Sequence, residues 1–513
     1  MPQLNVDYGD AVIADGFFLR RRSQPQWVDR YADGEGTFFR HISTFPDHTT
    51  IKEAVLDLLR QAKQQAFFCN FLLQDEDVLQ ALLDTSRRLS GHVYILTTLK
   101  ADDFRQAGGA GDDMEGDFES HMRCVKQLTR EGLLVKARSD CHAKFMTVDD
   151  TQAIVTSANA VPTCYGNVFQ RDGRTRDANP ENGVLFSIPK EVRRLANYFR
   201  ALWRNACNYY VAPDPTVFEV QQVQSGTPLV KSMEPPQPAD EGEVLWTAPD
   251  DPRILRRFLD MVRGARKDIS LSTWVMKGMD THELGDAIRK ASSRGVSVQI
   301  LVRGMNWRDD HRQQCYLLAR ELSHNGIILG DYWNHSKAVV VDSAEAMVMT
   351  ANMDAQHGLD HGVEVGFHSR QSSFVGAVNT FLDRLSNEAA FEFVPDPTQA
   401  TMAERYGGSR GQRLEGTIRI RVQPKGKHIA RLVRQWCDAA RRELVRVAKR
   451  QKKGRGEELV LFTDKMTIHL RPSDTQSLIA HDINDQPAAE ELERFDSYLG
   501  RGTIVCDVEG DGP

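Results

Sequence analysis

The chain lacks any run near the ~18 apolar residues that a bilayer-spanning helix needs. Its start, Met1-Pro2-Gln3-Leu4-Asn5-Val6-Asp7, shows no basic segment followed by an apolar one. No secretory leader is read there, and the cytoplasm is the expected location. Cysteine is sparse, with eight in 513 residues, and no two form a Cys-x-x-Cys pair. That excludes zinc-ribbon and disulfide-scaffold classes. Cys141 adjoins a histidine but reads as a small packed residue rather than a nucleophile. Net charge is also slight, at −6, but it is unevenly spread. From Arg419 to Arg455 there are 14 Lys/Arg against two acids, a local +12 that leaves −18 on the remainder. A basic segment on an acidic chain points to a polyanionic partner.

One short pattern is present twice. His142-Ala-Lys144 is followed by Asp149, and His335-Ser-Lys337 by Asp342. Both read His-x-Lys-x4-Asp, and both are trailed by an asparagine, Asn159 and Asn352. One copy would be weak evidence, but two at matching places in two similar half-chains are not. On a strand, residues two apart share a face, so each motif can aim its His and Lys into one cleft. Two imidazoles, two lysines and two amides suit attack on a phosphodiester, where charge builds on the non-bridging oxygens. One ring can attack phosphorus while the other protonates the leaving oxygen and then activates water or another alcohol.

The rest of each half alternates strand and helix. In the first half the expected strands are 66–72, 92–98, 133–135 and 183–188, with helices at 77–88, 120–131 and 190–208. A hairpin is expected around Asp149-Asp150. The second half repeats the order with strands 268–275, 296–303 and 363–367, helices 282–294, 312–325 and 372–385, and a hairpin at Asp342-Ser343. An internal duplication is the simplest account. The expected domains are an N-terminal extension packed on the first lobe (1–60), a first lobe (61–212), a Pro-rich linker (213–252), a second lobe (253–394) and a C-terminal region (395–513). The Gly/Asp-rich loop 101–116 reads as a mobile insertion.

With these residues in view, the sequence resembles the phospholipase D superfamily over roughly residues 60 to 390. The resemblance implies an α/β fold of two pseudo-twofold-related α/β/α lobes, here with a basic C-terminal α+β region. It implies a phosphohistidine intermediate, no metal and no cofactor. It assigns His142 and His335 as nucleophile and general acid/base, with His142 the preferred nucleophile. Lys144, Lys337, Asn159 and Asn352 become phosphate donors, and Glu181 and Glu364 the carboxylates behind the rings. Asp149 and Asp342 would order the site. The family's Gly-Ser-x-Asn appears as Thr156-Ser157-Ala158-Asn159 and as Thr350-Ala351-Asn352. On that reading Ser157 is a substrate contact, and the second half lacks a hydroxyl at Ala351. Glu181 lies 22 residues beyond its asparagine and Glu364 only 12, which makes the first match the looser one. Asp354, His357, Asp360 and His361 read as a polar rim loop rather than a cation site.

Residues 427–447 carry apolar side chains at helical spacing, with Arg431, Arg434, Arg441 and Arg442 largely off that stripe. A basic amphipathic helix is expected, suited to nucleic-acid phosphates or to an anionic membrane surface. Tyr332 and Trp333, next to the second motif, are candidates to stack a base. The expected function is a nuclease on DNA or RNA, with resemblance to nucleases of bacterial defence. The alternatives are a peripheral phospholipase D or phosphatidyltransferase, and a catalytically silent nucleic-acid-binding protein. One chain carries both motifs, so a monomer suffices for activity.

Overall fold

The computed structural model describes residues 16–22, 32–99, 118–166, 169–171, 174–176, 178–214, 219–224, 241–248, 251–304, 309–322, 325–331 and 333–395, together with six backbone strands between residues 417 and 508. Two compact units result. The larger comprises Pro25–Gly304 and Glu321–Ala389; the smaller comprises Met1–Gln24, Met305–Arg320 and Ala390–Pro513.

The larger unit holds two sheets of one design. In the first, Leu134–Ala137, Val93–Thr97, Ala66–Cys69, Phe145–Val148, Gln152–Thr156, Glu181–Phe186 and Phe39–Phe45 are successive neighbours. In the second, the same places are taken by Gly326–Asp331, Ser297–Arg303, Asp268–Ser272, Ala338–Val341, Glu345–Met349, Glu364–Ser369 and Glu243–Thr247. In both, the first three strands run parallel and the remaining pairings are antiparallel. The central strands are buried along their length, which is why they read as unbroken apolar runs such as Ala338-Val-Val-Val341. Asp75 starts the helix Glu76–Arg88 by accepting the Val78 amide at 3.1 Å.

Two expected boundaries change. Phe39–Phe45 is a strand of the first sheet and Thr50–Gln61 its first helix, so residues 39–60 belong to the lobe and not to an extension. Buried His41, Ser43 and Thr44 interrupt the apolar signal of that strand. Glu243–Thr247 lies inside the stretch expected to be linker, yet it is a fully buried strand of the second sheet. Phe391–Val394 pairs with Phe17–Arg20.

One apolar core runs through both lobes of the larger unit. Tyr198 stacks on Trp246 at 5.4 Å, and Phe186 meets Phe367 at 4.8 Å. Burying each such ring contributes about 1.5–3 kcal/mol. This core holds the Glu181 strand of one lobe beside the second sheet, and the Glu364 strand beside the first. Among the described residues, no helix is long and apolar enough to cross a membrane.

Candidate active site

The x4 spacing of the motif is the length of one hairpin strand. Lys144 precedes Phe145–Val148, and Asp149 opens the turn into Gln152–Thr156. Asp149 and Asp150 both take φ of 53°, and Asp342 and Ser343 repeat this at 53° and 50°. Paired positive φ values are the mark of a tight hairpin turn that Asp tolerates. The Asp149 carboxylate accepts the amides of Lys63, Gln64 and Gln65 at 2.7–2.9 Å. Asp342 accepts those of Arg266, Lys267 and Asp268 at 2.7–3.0 Å. Each therefore anchors the entry to its lobe's central strand. Each also sits seven residues past its histidine, about 20 Å along an extended chain, and takes no part in the cleft.

At the other end of these strands the histidines cross between lobes. His142 Nδ1 lies 2.8 Å from Glu364 Oε1, and His335 Nδ1 lies 2.5 Å from Glu181 Oε1. Backbone bonds fix the exchange: the His142 amide donates to Val363 O and the His335 amide to Pro180 O, both at 3.1 Å. Each ring thus pairs beside the residue preceding the opposite lobe's glutamate. The bond at Nδ1 fixes the orientation of each ring.

The hydroxyl expected to be missing from the second half is present. Ser157 and Thr350 each stand fifteen residues after their histidine. Ser157 Oγ donates to Glu181 Oε2 and Thr350 Oγ1 to Glu364 Oε2. Each also accepts the amide that follows its glutamate, from Asn182 and Val365, at 3.0 Å. Counting back from the asparagines, Thr350 and not Ala351 is the counterpart of Ser157. Both hydroxyls are buried and hold a carboxylate. The extra ten residues before Glu181 form an insertion containing the hairpin Phe169–Arg176, and Glu181 still begins its strand as Glu364 does.

Lys144 and Lys337 are both fully buried, and each donates its Nζ to the carbonyl of its own histidine at 2.5 Å. Asn159 and Asn352 are also buried, and each has an amide oxygen without a hydrogen-bond partner. A phospholipase D-like domain model described for cardiolipin synthase matches residues 55–203 and 258–386, more than half of the chain. The chain belongs to the phospholipase D superfamily.

Membership carries the superfamily's phosphodiesterase-type chemistry. Among solved structures, phosphatidylserine synthase from Haemophilus influenzae Rd KW20 matches with a TM-score of 0.49 and 12% identity, over 75% of this chain and 90% of that one. Nuc, a phospholipase D family member from Salmonella typhimurium, matches at 0.25 and 14%, over 29% and 97%. Polyphosphate kinase from Porphyromonas gingivalis matches at 0.41 and 13%, over 67% of this chain; the chain spans 50% of that kinase. No curated protein matches the sequence.

In this phospholipase D fold the electrostatics oppose free charge. Burial, reinforced by Lys337, Lys144, His142 and Arg303, holds His335 well below the usual imidazole range. Burial also lowers His142, against the pull of Glu364. Lys144 is brought down to about 7 by burial and the neighbouring Lys337 charge, although Glu364 acts the other way. The two rings differ in access, since the His142 side chain is 24% exposed and that of His335 3%.

Several positions escaped the sequence reading. Phe71 and Trp274 each stand two residues past the end of a central strand. They meet His142 and His335 edge-on at 5.1 and 5.6 Å. An aromatic at the same offset in both halves was the available signal. Asn182, next to Glu181, accepts the Lys337 amide at 3.1 Å and so ties the second motif to the first lobe. Trp333 is half-buried under the Arg303 guanidinium, 5.2 Å from its ring centre. Tyr332, Arg431, Arg434, Arg441, Arg442 and the loop 101–116 lie outside the described residues. The expected helix over 427–447 is overturned at its end, because Leu444–Lys452 is a strand. Its valines, Val445 and Val447, favour extended chain, and Gly456–Thr463 supplies the partner.

Asp354 accepts the His357 amide and lies 3.9 Å from Lys277, while Asp360 is 3.2 Å from His282 Nε2. Cys164, Glu181 and His335 have donor atoms within 4.8 Å of one another and are the metal-capable trio among the described residues. It shares its ring and carboxylate with the site above. Cys141 is fully buried, its Sγ 3.6 Å from that of Cys69.

Removing either carboxylate-holding hydroxyl tests the Ser157–Thr350 equivalence. Ser157→Ala and Thr350→Val are each expected to lower turnover of an activated phosphodiester about tenfold, as loss of a charge-assisted hydrogen bond near 1.5 kcal/mol implies. A fall with Ser157→Ala alone would make Thr350 a bystander.

Proposed function

We propose that the protein is a metal-independent nuclease acting through a covalent phosphohistidine. The observation that carries this reading is the exchanged pair of His–Glu contacts, which orients one imidazole from each lobe by the other lobe's carboxylate. His142 Nε2 forms the N–P bond while the leaving oxygen takes a proton from His335. His335, now neutral, removes a proton from water as the water oxygen attacks phosphorus and the N–P bond breaks. The greater exposure of His142 supports it as nucleophile. Lys144, Lys337 and the two asparagine amides stabilise the charge that develops on the non-bridging oxygens. An incoming phosphodiester anion raises the proton affinity of His335, which offsets the burial that keeps the ring neutral in the free site.

Nucleic acid is favoured over lipid by charge and by surface. Fourteen cations lie between Arg419 and Arg455. Among the described residues, the large hydrophobics left exposed are Phe38, Val223 and Ile327, which do not make the apolar entrance a lipid substrate needs. The test offers single- and double-stranded DNA, RNA and phosphatidyl lipid vesicles in EDTA. Nucleic-acid cleavage that is absent in His142→Ala and His335→Ala is the expected result. Headgroup release or exchange with intact nucleic acid would overturn it.

A pH profile follows from the burial of the site. Lys144 serves as a cation, so raising the pH through about 7 neutralises it and kcat/KM falls. His142 must be neutral to attack, so the acid limb lies below the ordinary imidazole value of 6.5. Lys144→Arg keeps its charge at all working pH, and should slow the enzyme while removing the part of the alkaline fall that belongs to Lys144; the part set by loss of the His335 proton remains. A limb unmoved by Lys144→Arg would assign it to another group.

A further inference from the structure

The smaller unit carries a six-stranded antiparallel sheet in the order Leu444–Lys452, Gly456–Thr463, Thr467–Leu470, Gln476–Ala480, Thr417–Val422 and Ile504–Val508. Directly opposed residues share a face, and alternate residues along a strand do so too. One row runs through Val447, Leu461, Ile468, Ile479, Ile418 and Val508, apolar at all six positions. That face has the composition of a packed face. The opposite face bears Arg419, Arg421, Arg446, Arg450 and Lys452 against Glu458 and Asp507. Arg450 stands opposite Glu458, and Arg419 opposite Asp507. Arg421, Arg446 and Lys452 stand opposite neutral residues. Five cations against two acids is a composition that suits a polyanion.

We propose that this basic face binds single-stranded nucleic acid. Arg446, Arg450 and Lys452 lie on one edge strand, spaced over about 20 Å, which makes a track for a phosphate backbone. Phe462 is directly opposite Arg446 on that face, an aromatic placed among cations as in sheets that stack bases. Charge complementarity selects a polyanion, and an aromatic one strand in from the basic edge favours an unpaired base over a flat lipid surface. The proposal rests on the nuclease reading for its substrate class, and adds a capture surface to that reading.

The test uses the full chain. Arg421→Gln, Arg446→Gln and Lys452→Gln are combined in the non-cleaving His335→Ala background, and binding of a fluorescent oligothymidylate of about 20 nucleotides is followed against salt. Affinity is expected to fall about ten- to a hundred-fold at ~0.1 M salt, and the log–log salt slope to shrink by about 2. With His335 intact, the same three substitutions should leave turnover of bis(p-nitrophenyl) phosphate unchanged. Arg421→Lys with Arg446→Lys should keep most of the binding, which separates lost charge from lost folding. Photocrosslinking of the wild-type protein to a thiouridine-bearing oligonucleotide should label peptides from 417–422 and 444–463, and needs no variant. Unchanged affinity and slope, or crosslinks confined to peptides elsewhere, would overturn the proposal. So would equal loss of binding to anionic vesicles with none to oligonucleotide. A wild-type enzyme that binds the oligonucleotide through this face and does not cut it would sink the nuclease reading and leave the surface standing.

Discussion

His142→Ala and His335→Ala are each expected to cut steady-state turnover by about four orders of magnitude or more, and the double variant should be little worse than either. The two rings act in one sequence, so removing one leaves the other without a partner step. Their roles separate with a substrate whose leaving group needs no proton. On bis(p-nitrophenyl) phosphate, His335→Ala should still release one p-nitrophenolate per active site in a burst. It should then stall as phosphohistidine, because no base activates water. His142→Ala should give no burst and no acid-labile phosphoryl adduct. Rapid-quench product analysis with mass spectrometry of the trapped protein reads both outcomes. An adduct on residue 335 in His142→Ala, with none in His335→Ala, would reverse the assignment. No adduct in either variant, under conditions where wild type forms one, would remove the covalent step.

Glu181→Gln and Glu364→Gln should each lower turnover about 10²- to 10⁴-fold, since a glutamine preserves shape but not the charge that fixes the tautomer and stabilises the imidazolium. The informative part is which histidine each one mimics. His142 is held by Glu364 at 2.8 Å and His335 by Glu181 at 2.5 Å. Glu364→Gln should therefore impair the same step that His142→Ala abolishes, giving a slow burst. Glu181→Gln should behave like His335→Ala, with a normal burst and an intermediate that accumulates. Partners drawn from within each lobe would give the opposite pattern, so single-turnover traces of the two glutamine variants decide between the two wirings.

The architecture was legible because the signals that encode it are local. The Asp149 and Asp342 turns, the apolar central strands and the amphipathic helices each depend on neighbours within a few residues. Where polar residues are buried in a strand, as His41, Ser43 and Thr44 are, periodicity fails and the edge strand Phe39–Phe45 is hidden. The strand Glu243–Thr247 was obscured by the proline-rich stretch before it. Thr350 was missed because the familiar motif was aligned from its first residue and not from its asparagine. Equal His-to-Asn spacing of 17 in both halves carried the correct alignment. Phe71 and Trp274 share an offset, but their meaning depends on rings that lie 71 and 61 residues away in the chain.

The sequence by itself determined that two like lobes each present a histidine and a lysine at one end of a hairpin whose aspartate anchors the other end. It could not determine which carboxylate serves which ring, because those contacts join residues 222 and 154 positions apart. Only the tertiary structure decided that each lobe's motif histidine is oriented by its neighbour's glutamate. The physical reason is the shared aromatic core, which sets the Glu181 strand beside the second sheet and the Glu364 strand beside the first.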